Sequence, residues 1–215
     1  MNARSTLKRA DYEDYLVHLY FRAGPYDLSK CIKTAYLDFS RTLHGLGEES
    51  DDKEKLYGEA TKELEQRFLR LQSNPGIADQ AAFDDWHRAI YQQLFAIYNN
   101  HGYNAPKRHL FVGQAQKWIN MTFKYIFTLA ALDEKRLSGF GEVYPFCHAP
   151  LDNVFISRLV EEYDFSWLSC AWSRLDDYDE YLAYQKRIRR EFELVPLDVE
   201  FRLWRGENIN ATNAT

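Results

Sequence analysis

An amine and a carboxylate, Lys117 and Asp152, stand 35 residues apart in this 215-residue sequence and are its best-placed groups for chemistry. Lys117 comes four residues after Gly113, early in a run of helical periodicity, and Asp152 follows Pro150 where another helix begins. A lysine that has given up its proton can add to an electrophilic carbon and continue through a Schiff base. A carboxylate at a helix start is held ionised by backbone N–H groups and stabilises positive charge that develops beside it. Lys124 lies seven residues beyond Lys117, two turns along the same helical face, and is the reserve amine. Each group also has a plainer role: a lysine at helical spacing is ordinarily a surface charge, and an aspartate after a proline is often only a helix cap.

The elements that must position these groups are helices. Apolar residues recur at three- and four-residue intervals through most of the chain, and no Asn-Gly or Asp-Gly turn separates alternating runs. The spacing predicts helices over Leu7 to Ala23, Leu28 to Leu43, Lys53 to Leu71, Gln80 to Tyr98, Val112 to Leu132 and Leu151 to Tyr163. A last one, opened by Ser173 and Asp176 at capping-box spacing, runs to Phe192 and carries Lys186, Arg187, Arg189 and Arg190. That basic run is expected to be a solvated helix face. Residues 138 to 150, with two glycines and two prolines, are expected to form a loop. The chain reads as one all-α domain over 1–215, with a polar tail at 208–215.

Between the fourth and fifth helices lies a turn-rich, basic stretch, His101 to Arg108, followed by His109-Leu110-Phe111-Val112-Gly113 and then by Lys117. After the next helix comes Pro150-Leu151-Asp152. This order resembles the helix-hairpin-helix superfamily of DNA base-excision glycosylases, nearest its archaeal 8-oxoguanine branch. There a hairpin ending in glycine leads to a helix with an attacking lysine, and a Pro-x-Asp loop supplies a carboxylate. The resemblance covers roughly a quarter of the chain, with the hairpin element at about 80–132.

It implies a helix-hairpin-helix glycosylase-like helical domain that flips a modified base, an oxidised purine or a hypermodified base such as those of phage DNA, out of duplex DNA. Asp152 would then stabilise the positive charge that develops on the sugar as the N-glycosidic bond breaks, and Lys117 would carry any strand-cleaving lyase step. Lys107, Arg108, His109 and Gly113 would meet phosphates, where backbone N–H groups bind anions without sequence preference. Trp118, Tyr144, Phe146, Trp167 and Trp172 would stack on the extruded base or fill its gap, and His148 would contact the substrate. Aromatic rings in a chain of this composition are nonetheless mostly core.

Composition limits the remaining classes. A net charge of −5 argues against a protein that coats nucleic acid through bulk charge, although a few local phosphate contacts remain open. Three cysteines at wide spacing give neither a disulfide framework nor a zinc site, and the glycosylase resemblance implies no metal or organic cofactor. The polar start and the lack of any long apolar run lead us to expect a cytoplasmic monomer with no membrane association. Two other functions stay open. One is a non-catalytic DNA-binding or regulatory module, which the hairpin alone would satisfy. The other is a metal-independent RNase of a bacterial immunity or toxin system, for which the expected Arg–His spacing is not evident. A role in repair or in defence against phage would suit the first reading.

Overall fold

A computed structural model describes residues 8–22, 27–43, 50–99, 110–132 and 137–209. Its regular elements are helical throughout: α1 (Arg9–Phe21), α2 (Leu28–Phe39), α3 (Ser50–Ser73), α4 (Gln80–Asn99), α5 (Val112–Leu132), α6 (Asn153–Tyr163), α7 (Tyr178–Phe192) and α8 (Pro196–Trp204). Short 3-10 turns cover Ser40–Thr42, Gly141–Phe146 and Trp172–Arg174. Among the described residues no helix is long and apolar enough to cross a membrane.

Each outer helix buries one stripe, as its sequence period requires. Leu56, Ala60, Leu64, Phe68 and Leu71 on α3 and Phe83, Ile90 and Leu94 on α4 are at most 2% exposed. The exception is α5, on which every residue from Val112 to Phe123 is buried. It runs through the middle of the molecule and touches both apolar clusters. Most of its buried residues pack with α1 to α4 in one cluster, while Val112 joins α6, α7 and α8 in the other. A helix enclosed on all sides holds whatever polar groups it carries in fixed places.

Caps set where the other helices begin. Asp27 accepts the Lys30 N–H at 2.9 Å at the start of α2, and Asp152 accepts the Phe155 N–H at 3.0 Å at the start of α6. Asp177, not the Ser173–Asp176 pair expected from spacing, opens α7 by accepting the N–H groups of Asp179 and Glu180. Ser173 lies instead in the 3-10 turn that crosses α5. The sequence reading also stopped short of α8, whose Pro196 occupies the first helical turn, where a proline costs no hydrogen bond.

Gly113 is a correction of another kind. It lies inside the first turn of α5 and not in a hairpin, and its N–H donates to the Leu175 carbonyl at 2.9 Å. A Cβ there would come within 1.6 Å of the Trp172 carbonyl oxygen, so only glycine lets the 172–175 segment cross the helix. Its amide is therefore already used and does not face a phosphate. Lys107, Arg108 and His109, the other expected phosphate contacts, lie outside the described residues, as does the 100–109 connection to which they belong.

Candidate active site

One side of α5 presents Lys117, Met121, Lys124, Thr128 and Leu132 at helical spacing, and these line a cavity of about 610 Å³. Glu13, Leu16, Val17, Tyr20 and Phe21 of α1 close one wall, and Glu200, Phe201 and Trp204 of α8 another. Asp38, Tyr125, Asp152, Trp172 and Arg205 complete the lining. The volume falls within the roughly 300–1,000 Å³ span of small-molecule sites.

Lys117 and Asp152 meet in this cavity. The Lys117 ammonium donates to Asp152 Oδ2 at 2.5 Å, while Asp152 Oδ1 caps α6. The lysine is only 5% exposed, so the surface-charge role does not describe it. Asp152 is a cap that also faces the cavity.

The loop that delivers Asp152 is buried, and its backbone groups are satisfied by side-chain amides. Gln116 donates to the Leu151 carbonyl at 2.8 Å and accepts the Leu151 N–H at 3.1 Å. Gln185 forms the same reciprocal pair with Ala149, at 2.7 and 2.9 Å, and Asn120 donates to the Ala149 carbonyl at 3.2 Å. Two residues of α5 and one of α7 thus fix the segment immediately before the carboxylate. A buried loop needs such partners, because an unpaired carbonyl or N–H there costs about 1–3 kcal/mol.

A second pair lies two turns along α5. Lys124 reaches Glu200 Oε1 at 2.7 Å and Oε2 at 2.6 Å, and its ammonium lies 4.8 Å from the Phe201 ring centroid and 5.2 Å from that of Trp204. Burial pushes the Glu200 carboxyl above the usual carboxylate range, against the pull of Lys124. Asp38 is raised for the same first reason; the Tyr125 hydroxyl donates to its Oδ2 at 2.5 Å and works in the opposite direction.

No protein-family model matches the chain. No curated protein or solved structure matches it either.

The aromatic residues expected to hold a base divide sharply. Trp172 lines the cavity. Trp118 points away from it, fully buried against Tyr36, Phe39 and Tyr57, with its indole N–H donating to the Ile32 carbonyl at 3.0 Å. Its one-residue offset from Lys117 turns it about 100° around the helix. Tyr144 packs edge-on against Phe127 and donates its hydroxyl to Asp198, Phe146 is half-buried against the first apolar cluster, and Trp167 is exposed. None of these three lines the cavity. His148 is also elsewhere, fully buried with Nδ1 at 2.9 Å from the Tyr181 hydroxyl and Nε2 at 3.0 Å from Asp84.

Sequence reasoning missed the residues that do form the walls: Tyr20, Phe21 and Asp38 from the first two helices and Glu200, Phe201 and Trp204 from α8. An available signal was the i, i+4 pair Glu200 and Trp204 beyond Pro196, which places an acid and a large ring on one helical face.

Proposed function

We propose that the protein is a DNA glycosylase that takes an extruded, modified base into the cavity between α1, α5 and α8 and breaks its N-glycosidic bond at Lys117 and Asp152. The observation that carries this reading is the buried amine–carboxylate pair, 2.5 Å apart, in an aromatic-walled cavity. Cleavage sends the bonding electron pair to the base and leaves positive charge on the sugar. Asp152, fixed by the α6 cap and by the amides that hold Leu151 and Ala149, is a preorganised anion for that charge, and low local polarity strengthens its effect.

The same geometry serves an attack by Lys117. The ammonium already shares a hydrogen bond with Asp152, so the carboxylate can accept its proton as the nitrogen bonds to the sugar carbon. Where water attacks instead, the product is a free base and an abasic site. Trp172, Phe201 and Trp204 offer flat faces for the base, and the Lys124–Glu200 pair offers a donor and an acceptor for its edge.

The test is base release from duplex oligonucleotides that carry 8-oxoguanine, scored as abasic sites. Asp152→Asn keeps the helix cap and should remove base release while DNA binding survives. A fully active Asp152→Asn protein would refute the assignment.

A further inference from the structure

Four carboxyl groups line the cavity, and three are taken: Glu13 by Arg9, Asp152 by Lys117 and Glu200 by Lys124. Asp38 forms no ion pair among the described residues. It accepts a hydrogen bond from the Tyr125 hydroxyl at 2.5 Å, and the Tyr125 and Tyr20 oxygens lie 2.5 Å apart. Because Tyr125 spends its proton on Asp38, Tyr20 is the donor of that second bond. Tyr20 is 55% exposed on α1, so the two phenols connect solvent with a carboxyl inside the cavity. The sequence reading assigned no role to any of the three.

We propose that Asp38 is the acid that protonates the departing base, and that Tyr125 and Tyr20 return a proton to it from solvent. This rests on the glycosylase reading and adds a third catalytic group to it. As the sugar–base bond breaks, its electron pair goes to the base nitrogen and the Asp38 O–H proton goes to the base, which leaves neutral. The Asp38 carboxylate then takes the Tyr125 proton as Tyr125 takes that of Tyr20 and Tyr20 takes one from water. No tyrosinate need accumulate.

The surroundings hold the Asp38 carboxyl above the ordinary carboxylate range. Burial raises its pKa, and the Asp152 carboxylate adds to the rise. The Tyr125 hydrogen bond and the charges of Lys117 and Lys124 on α5 oppose it, and the net direction is upward. Glu200 of α8 lines the same cavity and is closed by Lys124, and Glu13 of α1 stands on the wall that carries Tyr20.

The requirement for an acid depends on the base, and that gives the test. An 8-oxoguanine residue is neutral and gains from protonation as it leaves. A 7-methylguanine residue already carries a positive charge and departs neutral without help. Single-turnover release should be measured across pH for both, in one duplex sequence, with the wild type, Asp38→Asn and Tyr125→Phe. Asp38→Asn should slow 8-oxoguanine release by about 100-fold or more, the usual contribution of a positioned acid, and 7-methylguanine release by less than about tenfold. Tyr125→Phe removes the bond that favours the Asp38 carboxylate and should move the alkaline limb of the 8-oxoguanine profile to higher pH. Unchanged affinity for a duplex with an abasic site shows that each variant is folded. Equal loss on both bases, or no loss on either, would overturn the proposal. A wild type that releases neither base would defeat the glycosylase reading itself.

Discussion

Lys117→Met separates the pairing of Lys117 with Asp152 from everything else either residue does. The substitution keeps most of the side chain's volume but leaves the Asp152 carboxylate with only the Phe155 N–H as partner. The two side chains are 7% and 20% exposed, so this is a buried pair, for which removal of one partner costs about 3–5 kcal/mol. Because Asp152 is one-fifth exposed and keeps its backbone bond, the loss should fall near the lower end, about 3 kcal/mol. In a domain of this size that lowers Tm by about 6–12 °C. Asp152→Asn should also cost about 3 kcal/mol, since asparagine keeps the helix cap and a neutral oxygen for Lys117 but leaves the more deeply buried ammonium without its counter-charge. The double variant buries neither an unpaired ammonium nor an unpaired carboxylate and should lie within about 2 kcal/mol of the wild type, which makes the coupling energy at least about 2 kcal/mol. Urea unfolding followed by tryptophan fluorescence measures all four proteins. Single losses that add to within about 0.5 kcal/mol would show that the pair is not closed in solution and refute the argument.

Gly113→Ala should be among the most damaging single-methyl changes in the chain, because the added carbon meets the Trp172 carbonyl; a Tm within about 2 °C of the wild type would mean that the 172–175 segment does not cross α5 as described. His87 and His148 are fully buried, and burial holds both below the ordinary histidine pKa, so the native state binds fewer protons than the unfolded chain. Their stability is present above about pH 6.5 and is lost as pH falls, at about 1.4 kcal/mol per unit for each one that stays neutral. The urea midpoint should therefore drop between pH 7.5 and 5.5, and by less in His148→Gln; an equal drop in both proteins would remove His148 from the cause. Trp204→Ala should weaken binding of a duplex with a flipped base while leaving Tm nearly unchanged, since Trp204 is 61% exposed, whereas Trp118→Ala should lower Tm sharply. The opposite pattern, read by titration and melting, would return Trp118 to the site.

Much of the helical architecture was legible because it depends on local pattern. The expected Val112–Leu132 helix is α5, and the other expected helices overlap observed ones, with ends moved by caps such as Asp177 that compete with equally plausible neighbours. Lys117 and Asp152 were singled out together through the resemblance to the glycosylases, and the structure pairs them. What the sequence hid were contacts set by packing between distant segments. Gly113 looks like a turn residue until the Trp172 carbonyl is placed above it. Trp118 and Trp172 are equivalent as letters, yet one fills the core between α2 and α3 and the other faces the cavity. His148 sits four residues before Asp152, but the buried segment between them sends the histidine to Asp84 and Tyr181 instead. The α1 and α8 walls are separated from Lys117 by about 100 and 80 residues, a distance no spacing rule crosses.

A glycosylase is defined by the base it frees, so the most direct measurement is of the released base. Wild-type protein and Asp152→Asn should be incubated with genomic DNAs of different modification state and with an 8-oxoguanine duplex, and the free bases identified by mass. A modified base released by the wild type and not by Asp152→Asn is the predicted result. Release of no base from any of these DNAs, or equal release by both proteins, would contradict it.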